Sequence, residues 1–131
     1  MIFAPGNIDF IIGGPIDQAR AAYPGKRYHI HNPALTAVRT DLDDLRMIAD
    51  HIAGLVGEAR GPVKVFVPLH GFSSHDSPAG HLHEPDLPAP FAEHLKSAAP
   101  EGTDIHILPH HFNDPEFADA IVAATRSVIG R

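Results

Sequence analysis

The sequence predicts an α/β domain: a Rossmann-like three-layer αβα unit on a mainly parallel sheet of about four to five strands. Three observations predict it. Short apolar runs alternate with longer segments of helical periodicity. The run at residues 63–69 is apolar apart from Lys64, as a strand covered on both faces must be. Each apolar run leads into a polar, turn-rich segment. Right-handed crossovers between such strands place helices on the faces of one sheet. At 131 residues and 44% hydrophobic content, residues 1–131 make one domain, a size that buries roughly two thirds of the unfolded surface.

The elements follow in order. Residues 2–4 are a short strand. Residues 7–25 read two ways: 7–12 as a strand ended by Gly13-Gly14-Pro15, and 16–23 as a short helix before Pro24-Gly25. Residues 27–31 form the next strand. A helix follows Thr40, its expected N-cap, because Leu42, Leu45, Ala49, Ile52 and Val56 recur at spacings of three and four, with Asp41, Asp43 and Asp44 in its first turn. Residues 63–69 are the central strand. A helix over 90–99 turns Phe91, Leu95 and Ala98 inward, and 104–108 is a further strand. The last helix runs over 115–129, with Asp114 as cap, Pro115 in the first position, and Phe117, Ile121, Thr125 and Val128 as its buried stripe.

Composition narrows the function classes. The formal charge is -6 and the ten Lys and Arg residues form no runs, so neither nucleic acid nor a membrane surface is an expected partner. Cysteine is absent, which removes disulfides, thiolate nucleophiles and Cys-ligated zinc. With no long apolar stretch and no signal-like start, the chain reads as soluble and cytoplasmic. Histidine stands out at eleven copies, making the surface potential sensitive to pH in the mildly acidic range.

The segments trailing the predicted strands hold the chemistry: Pro5-Gly6-Asn7, Asn32-Pro33 after His31, His70-Gly71-Phe72-Ser73, and Pro109-His110-His111. In a parallel sheet these emerge along the carboxyl edge, where open α/β sheets bind ligands. The densest is "HGFSSHDSPAGHLHEPD", residues 70–86. Gly71 and Gly80 can let backbone amides approach an anion, with Ser73 and Ser74 adding hydroxyls. Arg39 and Thr40, beside a helix start, make a second anion-binding element. The expected binding set is therefore Asn32, Arg39, Thr40, Gly71, Ser73, Ser74 and Asn113, with His70 and His111 placed for proton transfer. Other readings are weaker. Ser73 beside His75 and Asp76 lacks the second glycine of a nucleophile elbow. His81 and His83 can pair with His70, His110 or His111 on a metal, but no helix-borne His-Glu-x-x-His motif supports this, and no metal ligand is assigned. His29 and His106, inside strands, read as structural, and residues 81–86 as closing the connection.

The segments "HNPALTAVRT" (31–40), "VPLHGFSSHDSPAG" (67–80) and "HHFNDPEFADAIV" (110–122) resemble, in order and across nearly the whole chain, the C-terminal part of the Tm-one-like ATP-binding family, a family of uncharacterised proteins. The resemblance implies a portion of a larger two-lobed protein and ATP or a related phosphorylated ligand. It also implies a homo-oligomer or association with a second α/β lobe. The family's plant namesake restrains a tobamovirus by binding the viral replication protein, which adds a protein-interaction module as an alternative. The preferred expectation is binding of a nucleotide or other anionic small molecule. A hydrolase or lyase using a His-bound metal is the other alternative, and the sequence leaves enzymatic activity open.

Overall fold

The computed structural model describes residues 1–130, in ten elements: β1 (Ile2–Phe3), β2 (Phe10–Gly13), α1 (Ile16–Ala22), β3 (Tyr28–Asn32), β4 (Leu35–Arg39), α2 (Leu42–Glu58), β5 (Lys64–Pro68), α3 (Pro88–Ala98), β6 (Asp104–Leu108) and α4 (Pro115–Ile129). They form a mixed α/β domain with two sheets. One is parallel, in the order β1-β5-β6, with Phe3 opposite Val65 and Val65 opposite Ile105. The other is antiparallel, in the order β2-β4-β3.

The parallel sheet thus holds three strands among the described residues, fewer than the four to five expected. The difference arises at residues 32–35. Asn32 pairs with Leu35, leaving only Pro33-Ala34 to reverse the chain, and the Asn32 Oδ1 atom accepts from the Ala34 amide. Such a two-residue link makes an antiparallel hairpin and cannot lead to a parallel crossover. β3 therefore leaves the parallel sheet, and β4, which was not expected, becomes the centre of the second sheet. Both readings of residues 7–25 are realised, as β2 followed by α1.

The core forms where α2 and α3 meet the parallel sheet. Val65 and Val67 of β5 pack with Leu45, Ala49, Ile52 and Val56 of α2, Phe91 and Leu95 of α3, and Phe72. Leu45 and Leu95 are fully buried, so truncating either to alanine costs about 2–5 kcal/mol. α4 touches β1 and β5 outside this cluster; Phe117 is its buried residue, and Ile121, Thr125 and Val128 are only partly covered. α2 starts one residue later than expected. Its N-cap is Asp41, whose carboxylate accepts from the Asp44 amide while Asp44 accepts from the Asp41 amide. Thr40 is buried and donates instead to the Ile8 carbonyl.

Candidate functional site

Three trailing segments of the parallel sheet converge. The His70 amide donates to the His110 carbonyl, Phe112 to Gly71, and Asn7 to Phe72, so the chain after β1, β5 and β6 is stitched into one rim. Asn32 is absent from it, exposed at the tip of the β3–β4 hairpin. The loop after β5 then folds tightly on itself. Gly71 has φ +125°, and a Cβ there would lie 1.9 Å from the Asp76 carbonyl oxygen; a Cβ at Gly80 would lie 2.2 Å from that of His75. Both glycines admit the loop's own carbonyls, so neither builds the expected amide cradle for an anion.

A cavity of about 520 Å³ opens at this rim, lined by Leu69, His70, Ser77, Pro78, His83, Pro85, His111 and Asp114. The two histidines expected to transfer protons are thus brought together, in different states. His70 is exposed and its ring has no partner among the described hydrogen bonds. The His111 ring is fully engaged: Nε2 faces the Ser73 and Asp76 carbonyl oxygens at 2.9 and 3.2 Å, and Nδ1 accepts from the Asn113 amide. Two carbonyls can only accept, so Nε2 carries the proton. Asp114 occupies the N-cap of α4, but its carboxylate accepts from the His111 amide at 2.7 Å and makes no capping bond to the helix.

The remaining expected binders lie elsewhere. Arg39 is 4% exposed, between the fully buried Asp9 and Asp76. It donates to the Asp9 carbonyl at 2.8 Å and lies 3.4 Å from Asp76 Oδ1. Ser73 donates to Asp9 Oδ2 at 2.6 Å and accepts from the His75 amide. Burial pushes the Asp9 carboxyl above its ordinary range, opposed by the Ser73 hydrogen bond. Burial likewise lowers the Arg39 guanidinium, while Asp76 and Asp9 hold it charged. This network joins the loop to the antiparallel sheet; Arg39, Thr40 and Ser73 serve the fold there and do not line the cavity. Ser74 and Asn113 pair with each other at the surface, Asn113 Nδ2 donating to Ser74 Oγ at 3.3 Å.

Residues 81–86 do more than close the loop. Leu82 is buried, and the histidines beside it go to different surroundings. The His81 ring stacks on His29 at 3.9 Å between centroids, with His75 5.3 Å from His29. His83 lines the cavity, its Nδ1 atom 3.6 Å from Asp76 Oδ1. His81 and His83 therefore do not form a shared metal pair, and among the described residues no three His, Asp or Glu side chains are arranged to hold a metal ion. Sequence reasoning missed Ser77 and Asp9, and weighed His83 only as a metal partner or as part of the closing segment. The single apolar residue between two histidines was the available signal for His83, since burying Leu82 fixes both neighbours. Nothing local marks Asp9 as the partner of Ser73, 64 residues away.

Fold and site together define an α/β domain with a histidine-lined cavity beyond the carboxyl ends of a short parallel sheet. Residues 1–129 match the model of the Uncharacterised protein family (UPF0261) C-terminal domain, and the chain belongs to that family. It is 32% identical over 125 residues to UPF0261 protein RA0729 of Rhizobium meliloti (strain 1021), covering 94% of this chain and 31% of that protein. It is 27% identical over 124 residues to ToMV resistance protein Tm-1(GCR237) of Solanum lycopersicum, covering 93% of this chain and 16% of that protein. The chain thus spans a third or less of the length of these relatives. No helix among the described residues is long and apolar enough to cross a membrane.

Proposed function

We propose that the domain binds an anionic small molecule, a nucleotide or another phosphorylated or carboxylated compound, in the cavity beyond β5 and β6. The observation that supports this most is the gathering of His70 and His83 with Ser77 around one opening, beside the apolar surfaces of Leu69, Pro78 and Pro85; His111 also lines it, but its ring nitrogens are already bonded to backbone. Imidazoles donate hydrogen bonds to an anion and gain charge in mild acid, while the apolar wall suits a ring or carbon skeleton. Asp114 also lines the cavity, and its carboxylate is held by the His111 amide.

Thermal-shift measurements with ATP, inorganic phosphate and citrate at millimolar concentration test the reading. The expected result is a rise in Tm that grows as the pH is lowered from about 7.5 to about 6 and shrinks in His70→Ala. No rise with any of the three, or one unchanged by His70→Ala, rejects it.

A second reading, association with another α/β lobe or a second copy, is favoured by a separate feature. Met47 is 71% exposed and Ile12 58%, and a groove beside them is lined by Ile11, Thr40, Asp44, Met47, Ile48 and His51. Exposed apolar surface of this kind marks interfaces. Light scattering should show a dimer that Met47→Glu dissociates; a monomer at all concentrations removes this reading for the isolated domain.

A further inference from the structure

We infer that His83, oriented by Asp76, is the proton-transfer group of the cavity, and that the bound molecule carries a weakly acidic O–H or C–H beside its anionic group. The inference rests on the binding reading above and adds chemistry to it. The Nδ1 atom of His83 is buried and has no hydrogen-bond partner among the described residues, yet it faces Asp76 Oδ1 at 3.6 Å. That is a few tenths of an ångström beyond a hydrogen bond, a looseness catalytic pairs show before a ligand tightens them. The side chain is 27% exposed and lines the cavity, so the ring edge bearing Nε2 is the one a ligand reaches.

Asp76 suits the orienting role because backbone amides hold it on two sides and Arg39 faces its Oδ1 at 3.4 Å. It is fully buried, its Oδ2 accepts from the Phe72 amide at 3.2 Å, and its Oδ1 accepts from the Glu84 amide at 3.0 Å. Glu84 directly follows His83, so the carboxylate facing the ring also holds the next peptide group. A carboxylate accepts, which places the ring proton on Nδ1 and leaves a lone pair on Nε2. The other two imidazoles of the cavity are not built this way. His111 has both ring nitrogens bonded to backbone, and His70 has no carboxylate behind it.

In the forward step, Nε2 bonds to the ligand proton and the electron pair of the broken O–H or C–H bond stays on the ligand. The positive charge on the ring then lies against Asp76. The reverse step returns the proton, and His70, in the same cavity, is free to act as the second acid or base.

Diethyl pyrocarbonate tests the assignment directly. A neutral ring nitrogen bonds to the reagent's carbonyl carbon, the ring proton passes to solvent, and ethyl carbonate leaves and decomposes to carbon dioxide and ethanol. Mapped by mass spectrometry near pH 7, His83 should acylate about tenfold faster than the more exposed His31 and His51, and Asp76→Asn should remove that advantage. Nitrogen-15 NMR of the unsubstituted protein, with His83→Gln to assign the signal, should show the Nδ1–H tautomer at His83. That reading holds even where Asp76→Asn fails to fold. Acylation of His83 no faster than of His51, or an Nε2–H tautomer, overturns the inference. A thermal shift with phosphate that survives such a result leaves the binding reading standing. Loss of that shift alone removes the binding reading without touching the tautomer.

Discussion

The loop of residues 70–87 contributes to two polar regions that differ in exposure and meet at Asp76, whose Oδ1 faces Arg39 in one and His83 in the other. Where it meets the antiparallel sheet, Asp9, Arg39, Ser73 and Asp76 are sealed from water, with Ser73 and Arg39 bonded to Asp9 and Arg39 paired with Asp76, although Asp9 Oδ1 and Arg39 Nε and Nη2 make no hydrogen bond among the described residues. At the rim of the parallel sheet, His70, Ser77 and His83 stay open to a cavity. Full charges cost too much to bury alone, so the fold matches them internally. An imidazole can be left half-exposed and neutral at little cost, which makes histidine the residue available for a ligand. A strong charge in the sequence is thus poor guidance to a site when an opposite charge can reach it.

The comparison is most severely tested by Arg39→Ala. If that region is structural, the change strands two buried carboxylates and should lower stability by about 3–5 kcal/mol, read from urea denaturation. A stable protein with weakened phosphate binding would reverse the roles of the two regions. Next in size is Asp41→Ala, which removes the capping box of α2 together with a partner of Lys26. A loss of about 1 kcal/mol near neutral pH is expected. The Lys26 hydrogen bond chiefly holds the Asp41 carboxyl down from its ordinary value of 3.8 to about 2. Its contribution is therefore complete above 3.8 and disappears as the pH falls through about 2, so the wild-type and variant melting curves should converge there. Disagreement at that pH would mean the loss comes from packing.

The smallest expected effect concerns His29, packed against His75 and His81 where the hairpin meets the loop. Burial first, then the neighbouring imidazoles His81, His75 and His31, lower its affinity for a proton below the ordinary value of 6.5. The unfolded chain takes up that proton first, so stability present above 6.5 should erode as the pH drops below it. His29→Phe should flatten this part of the Tm–pH curve by a degree or two, roughly. An unchanged slope assigns the acid sensitivity to other histidines.

Much of the fold is legible in the chain. Val63 to Leu69 announces a covered strand, the spacing from Leu42 to Val56 fixes α2, and Asp114-Pro115 sets the start of α4. The hairpin was misread because Asn32-Pro33 suits both a ligand-facing turn and a tight reversal; the choice lies in Thr36 and Val38, which pair with β2 and β3 at long range. At the cavity, His70 and His111 are legible as rim residues because they lie two and three residues beyond β5 and β6. Arg39 was not, since its partners Asp9 and Asp76 are distant in sequence and only the folded chain brings them together. For His83 the pattern of one apolar residue between two histidines is visible in the chain, but the burial of Leu82 that fixes His83 is decided by packing.

The β3–β4 hairpin has one more consequence. At its base the Arg39 amide bonds to the Arg27 carbonyl, and both guanidiniums reach into the loop, Arg27 to the His83 carbonyl and Glu84 and Arg39 to Asp76. At its far end residues 30–35 are all exposed, and among the described residues the Asn32 side chain bonds only to the Ala34 amide two residues on. A ribbon rooted so firmly and free at its other extremity tolerates grafting: a peptide tag or fluorescent reporter inserted at Pro33 should leave both arginine clamps in place and report on the loop from a distance.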